Sequence, residues 1–393
     1  MWILFYILIV STAIVFIPFE GYWLEILQNQ FRVPKELVFV VLSSFVIALA
    51  FFDRKINSIA FKDKWIGMFL AFAVLSFGII FYMPLIFPKE KQIIFHVWNF
   101  RATINIVLGV FLLSTLVNRA EGNSRWITTA KVLCYLAGTL AFYSILQYFG
   151  MDEIFKNYDW RFENGNFDPK VKMIGFMGHN FINSNYLAVI SPLCLIFREF
   201  RFKAIYGFIV ISLILSQVCS SILALIVGLL MYLLLSKRYS HLFFSIGVGI
   251  IWVFYIINRF PTFFSNNGRI GIWKTVFENN HNYLVGNGFG SLASKFVFNN
   301  TTFLHAHNDF IELYWSSGIF GLIIVIGFLC NLFKESFTVY ANSNSMLLIG
   351  YISAFISFLV IALFGFPMEV APLALVGITY IASLKSQGGV YGN

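Results

Sequence analysis

Residues Ser345–Phe366 read SMLLIGYISAFISFLVIALFGF, 22 residues without an Asp, Glu, Lys or Arg. A helix rises 1.5 Å per residue, and a bilayer core of roughly 30 Å takes about 20 of them. The same signal recurs near 1–17, 34–52, 65–87, 100–118, 126–149, 184–198, 203–218, 220–236, 241–257, 309–333 and 368–384. The composition agrees: 59% of residues are hydrophobic, 11% are charged, and the mean hydropathy is +0.80. A soluble domain carries about 25% charged residues. The expected fold class is therefore all-α: a polytopic integral membrane helical bundle of about 12 transmembrane helices.

The first run lacks a basic start and a small-residue cleavage site, so it reads as a membrane helix rather than a signal peptide. The pair 203–218 and 220–236 requires a very tight turn among Ser216, Gln217, Ser220 and Ser221. One long helix here would put the polar loops before and after it on opposite faces.

The formal net charge is +9. With the N-terminus in the cytoplasm, the short inner connections hold 14 Lys/Arg and 5 Asp/Glu. The longer outer segments hold 13 of each. Lys and Arg concentrated close to the spans on one side follow the positive-inside rule. The basic excess is thus a topology signal and implies no nucleic-acid partner. Cys134, Cys194, Cys219 and Cys330 all fall in or at the ends of apolar runs, with no metal-ligand spacing and no disulfide framework.

This gives helices 1–5 in 1–149, a first external loop at 150–183, helices 6–9 in 184–257, a large external loop at 258–308, and helices 10–12 in 309–393. The polar residues gather in the two loops, and their aromatics (Trp160, Phe162, Trp273, Phe277, Phe289) are anchors a disordered segment lacks. In the second loop Ile270, Trp273, Phe277 and Leu284 recur at helical spacing, an amphipathic helix lying on the membrane or against the bundle. Gly286-Asn287-Gly288-Phe289-Gly290 ends it. A glycine run of this kind can cradle phosphate, but no strand-to-helix context surrounds it, and a plain turn is the simpler reading.

Next comes His305-Ala306-His307-Asn308-Asp309-Phe310-Ile311-Glu312. Asp309 and Glu312 have capping-box spacing, which starts the tenth span near Asp309. His307 and Asn308 then stand at a helix N-terminus, where unpaired N–H groups and the dipole favour an anion. A neutral imidazole there can act as a base; an ordinary solvated loop histidine is the alternative. His281 is a conceivable third metal ligand, but two histidines with one spacer make no zinc site, and no metal is expected.

Three motifs resemble the C-terminal region of the O-antigen ligase and O-antigen polymerase family, which are bacterial membrane glycosyltransferases. The first is Gly178-His179-Asn180-Phe181-Ile182-Asn183-Ser184-Asn185-Tyr186-Leu187-Ala188. The second is Arg269-Ile270-Gly271-Ile272-Trp273-Lys274 with Leu284-Val285-Gly286-Asn287-Gly288-Phe289-Gly290. The third is the His305–Glu312 stretch with Gly318-Ile319-Phe320-Gly321 beyond it. Together they cover about 175–325.

The resemblance implies a GT-C-like bundle with a large periplasmic loop before the tenth helix, in the bacterial inner membrane. It implies transfer of a glycan from an undecaprenyl-diphosphate-linked donor to lipid A core or a growing polysaccharide, as in lipopolysaccharide biosynthesis, with no cofactor. Arg269 would hold the diphosphate and His307 would act on the acceptor hydroxyl. Asn308, His305, Asn183, Asn185, Arg101 and Lys274 would line the substrate site. One departure stands out. Family ligases carry an Arg between two middle spans, and here the comparable stretch, Ser216–Leu225, has Cys219 in its place. A transporter or flippase of lipid-linked glycan, or a non-catalytic subunit of an assembly complex, are the alternatives. Transporters tend to show inverted repeats and midplane charges, and neither is evident in the sequence.

Overall fold

An apolar run in a membrane is driven to a helix because hydrocarbon leaves no partner for backbone N–H and C=O groups except within the helix itself. A computed structural model describes residues 1–14, 41–46, 105–117, 122–151, 173, 175–177, 179–259, 269–280, 282–289, 291–292, 297–298, 301–302 and 305–391. The run at 65–87, most of those at 34–52 and of the first external loop, Arg101 and His281 lie outside them.

The helices are α1 (Trp2–Ile14), α2 (Asn123–Tyr148), α3 (Asn180–Cys194), α4 (Phe200–Ser216) and α5 (Cys219–Leu235). They continue as α6 (Tyr239–Arg259), α7 (Arg269–Asn279), α8 (Asp309–Ser343), α9 (Met346–Phe364) and α10 (Ala371–Tyr391). Residues 41–46 and 105–117 are also helical. A two-residue ribbon, Val297–Phe298 with Thr301–Thr302, is the only sheet among the described residues. Among them, three helices are long and apolar enough to cross a membrane: α2, α8 and α9. The architecture is that of an α-helical membrane protein.

Side-chain hydrogen bonds fix the directions of the helices. Asn183 at the start of α3 donates to Ser144 near the end of α2 (2.7 Å), while the Cys194 and Cys134 thiols meet at 3.4 Å toward the other end. These two helices are antiparallel. Asn180 Nδ2 reaches the Ser216 carbonyl (3.4 Å), and Phe197 stacks on Phe202 at 4.2 Å, so α4 is antiparallel to α3. Ser221 Oγ donates to Asn185 Oδ1 (2.7 Å) and Tyr232 OH to the Leu195 carbonyl (2.6 Å), so α5 runs parallel to α3. The chain therefore reverses between α4 and α5. Gln217, left-handed at φ 54°, ends α4, and Val218 leads straight into α5.

Tyr351 OH bonds the Trp126 carbonyl at the start of α2 (2.9 Å), and Gly365, just past α9, lies against the Phe181 ring. Tyr340 near the end of α8 bonds the Leu235 carbonyl (2.6 Å). One end of the bundle, here the upper end, thus gathers the last turns of α2, α4 and α9 with the first turns of α3, α5, α8 and α10. The chain on either side of the first polar loop and the chain that follows the second meet there.

Close approach between helices rests on small residues. A Cβ on Gly228 of α5 would stand 2.0 Å from Ser357 Oγ of α9, and Ser357 donates to the Ala224 carbonyl (2.9 Å). Where packing comes from van der Waals contact rather than exclusion of water, such residues let backbones approach. Exposed apolar positions repeat at helical spacing on outer faces: Phe208, Ile211 and Ile214 on α4, and Ile319, Ile323 and Ile326 on α8.

The run expected at 309–333 differs in two ways. Helix α8 continues to Ser343, longer than a bilayer core requires, and it is broken at Gly318 (φ 64°, ψ −167°). The break frees the bonds that Ile319 and Phe320 N–H would make to the Trp315 and Ser316 carbonyls. Residues 283–288 take up all four groups. Asn287 N–H donates to Trp315 O (2.9 Å) and Gly288 N–H to Ser316 O (2.9 Å). Ile319 N–H donates to Tyr283 O (2.8 Å) and Phe320 N–H to Leu284 O (3.3 Å). The glycine run is accordingly a docking loop, and the N–H groups of Asn287 and Gly288 are committed to the helix rather than to a phosphate.

Candidate active site

Helix α7 sets the first functional group. The sequence places Ile270, Trp273, Phe277 and Leu284 on one apolar face, toward the membrane or the bundle. Ile272 and Val276 turn inward against Leu292, Ala306 and Trp315, with Trp273 partly buried against the same cluster, while Ile270, Phe277 and Leu284 are exposed. The reason is the docking loop just described. Asn287 Nδ2 donates to Asn280 Oδ1 (3.0 Å) and the Trp315 carbonyl (3.3 Å), and Asn280 Nδ2 to the Tyr314 carbonyl (3.4 Å). This pins the end of α7 to the break in α8 and fixes its rotation.

Arg269 opens α7, half-buried, and its Nη1 donates to the carbonyl of Phe364, the last residue of α9. Carbonyls at a helix end lack intrahelical donors, and the negative end of the dipole favours a cation. Burial lowers the Arg269 pKa from its ordinary value, and the nearby Cys219 offsets this in part. The guanidinium stays charged at neutral pH because arginine starts so high. Cys219 is the first residue of α5, and Val218 before it supplies no side-chain cap. Cys219 thus lies within electrostatic reach of Arg269.

Phe366, two residues past α9, is the hub of the upper end. The His305 ring stacks on it at 4.3 Å and 18°, the His307 ring lies at 5.3 Å, and Phe181 of α3 at 5.8 Å. His307 is in the left-handed region (φ 54°), uncommon for a side-chain-bearing residue. It is partly exposed, whereas His305 is buried.

The cap of α8 differs from the expected one. Asn308, not Asp309, is the N-cap; its Oδ1 accepts from Phe310 N–H (2.9 Å) and Ile311 N–H (3.0 Å). Asp309 instead accepts from Met368 N–H (3.1 Å), tying α8 to the turn before α10. Glu312 reaches back to accept from Ala306 N–H (3.2 Å). The helix does start at Asp309, but one polar residue earlier does the capping.

The other expected site residues are dispersed. Asn183 is buried and donates to Ser144 Oγ and the Met173 carbonyl (3.3 Å). Asn185 is buried on another face of α3, where Oδ1 accepts from Ser220 (3.3 Å) and Ser221. These two asparagines join α3 to α2 and α5. Lys274 is exposed and pairs with Glu278 one turn on (3.7 Å). Arg269, His305, His307 and Asn308 converge; Lys274, Asn183 and Asn185 do not reach them through any of these bonds. Sequence reasoning did not single out Phe366, and it named Phe181 and Glu312 only as motif and capping positions. Phe366 left only a faint signal, the Phe364-Gly365-Phe366-Pro367 stop after an uncharged run.

The arrangement combines a half-buried cation, two imidazoles and several positive helix ends at one end of an apolar bundle. No protein-family model matches the sequence, and no curated protein matches it.

Proposed function

We propose that the chain is a glycosyltransferase of about twelve spans in a bacterial inner membrane, with a cytoplasmic N-terminus and periplasmic polar loops. It moves a glycan from an undecaprenyl-diphosphate carrier to a hydroxyl of lipid A core or a growing polysaccharide. The observation that carries this reading is the convergence of Arg269, His305 and His307 on residues 364–366, beside the uncapped start of α5.

In this reading the acceptor O–H gives its proton to His307, the more open imidazole. The acceptor oxygen bonds the anomeric carbon, and the bond from that carbon to the diphosphate breaks. The diphosphate leaves with the electron pair. Its growing charge meets Arg269, whose planar fork suits phosphate oxygens, and the N–H groups that open α5. This helix end supplies positive potential where Cys219 replaces the family Arg. The upper-end location also suits a substrate whose lipid tail stays in the bilayer while its head group stands at the surface.

Replacing Arg269 or His307 with Ala in the native host tests the proposal. The expected result is normal protein level, accumulated lipid-linked donor and lost surface polysaccharide. Unchanged surface glycan in both variants refutes it. Long lipid-linked chains in the variants identify a ligase, and single repeats identify a polymerase.

A further inference from the structure

Glu312, in the first turn of α8, is a buried carboxylate. Burying a charge is costly unless it is paired and hydrogen-bonded. Both oxygens of Glu312 face one short stretch of chain. Oε2 accepts from Ala306 N–H (3.2 Å), and Oε1 stands 3.8 Å from His305 Nδ1. The other side of Ala306 is held as well, since Trp273 Nε1 donates to its carbonyl (2.9 Å). Ala306 is fully buried, so its N–H is clamped by α8 and its C=O by α7. His307 is the next residue, and it carries the left-handed backbone that places its ring at Phe366.

A left-handed histidine persists only where its surroundings over-determine it. Here the fixed points are the Ala306 peptide on one side and the Asn308 cap on the other. We propose that Glu312 is a positioning residue, acting through Ala306 and His305 to hold the His307 imidazole in its place against Phe366. The inference rests on the functional reading above for its kinetic consequence, but its structural consequence can be read without any reaction.

The test compares Glu312→Gln, Glu312→Ala and Trp273→Phe in the intact chain in detergent. The amide of Glu312→Gln keeps an oxygen for Ala306 N–H; Glu312→Ala keeps none; Trp273→Phe releases the carbonyl side while leaving the carboxylate intact. Two readouts are used: hydrogen exchange at the Ala306 amide with ¹⁵N spectra of the six histidines, and release of undecaprenyl diphosphate from lipid-linked glycan extracted from a host lacking the protein.

Glu312→Ala should speed exchange at Ala306, shift the His307 signals, and lower turnover by about 10²-fold, the lower end of a base's contribution, with donor KM unchanged. Glu312→Gln should stay within about threefold of wild type on that same scale. Trp273→Phe should shift the His307 signals and lower turnover in the same direction as Glu312→Ala. Unshifted His307 signals in Glu312→Ala overturn the proposal, as does Glu312→Gln being as impaired as Glu312→Ala, which would make charge the operative property. A wild-type protein that releases no diphosphate counts against the functional reading alone, because the exchange and spectral readouts still decide the positioning.

Discussion

Replacing Gly286 with Ala probes the joint between the docking loop and the broken helix. Gly286 has φ +76°, and an added Cβ would stand 2.4 Å from Ser316 C, Ser316 O and Ser317 N. These are backbone atoms of α8 and cannot turn aside as a flexible side chain can. The left-handed backbone costs a non-glycine residue about 1–2 kcal/mol, and forcing atoms into a filled space costs about 1–3 kcal/mol more. The expected penalty is therefore about 2–5 kcal/mol. It falls on the four bonds between 283–288 and 315–320 before it reaches the rest of the bundle, because those bonds close the joint. At about 3 kcal/mol, opening becomes roughly 10²-fold more frequent.

Hydrogen exchange in detergent reads this directly at the amides of Asn287, Gly288, Ile319 and Phe320. Gly318→Ala is the matching change from the helix side: φ is +64° and the new Cβ would lie 2.2 Å from Leu284 O. A methyl added at Gly247 in α6 would meet nothing within 4 Å, so Gly247→Ala serves as the neutral control. Wild-type exchange at the four amides in both Gly286→Ala and Gly318→Ala would refute the reasoning, since the joint would then tolerate what its geometry forbids.

Gly228→Ala should lower the unfolding midpoint by an amount corresponding to about 1–3 kcal/mol, as the methyl would meet Ser357 Oγ at 2.0 Å and Pro192 Cγ at 2.9 Å; a midpoint equal to that of Gly247→Ala counts against tight packing of α5 on α9. Asn308→Ala removes both acceptor bonds at the start of α8 and should cost about 1 kcal/mol, whereas Asn308→Asp keeps the cap and should recover most of it. Equal melting of those two variants would show that the cap contributes nothing measurable.

The apolar runs that are helical among the described residues were readable because a membrane helix is a one-dimensional signal: an uninterrupted run of about 20 residues suffices. The turn at 216–221 was readable for a related reason, since polar residues interrupt a run too long for one span. The α8 break was not. Gly318 is one glycine in an apolar segment, and its conformation is stabilised by backbone groups of 283–288, some 30 residues earlier. The sequence presents Leu284–Gly288 and Gly318–Gly321 as separate motifs; only folding makes them one joint. Which face of α7 turns inward was not legible for the same cause, because the Asn280–Asn287 bonds to α8 set its rotation and its own periodicity does not.

The candidate site divides in the same way. Arg269, His305, His307 and Asn308 stand out in sequence because polar and ionisable residues are scarce there. Nothing in their spacing reveals that Arg269 bonds the end of α9, that Phe366 carries both imidazoles, or that Asn183 and Asn185 turn to other helices. The sequence by itself determined an α-helical membrane protein with its polar chemistry confined to two segments, because transfer free energy adds up along the chain. The tertiary structure decided which polar residues meet, because hydrogen bonds and ring contacts depend on helix direction and rotation, which are set by residues far apart in the chain.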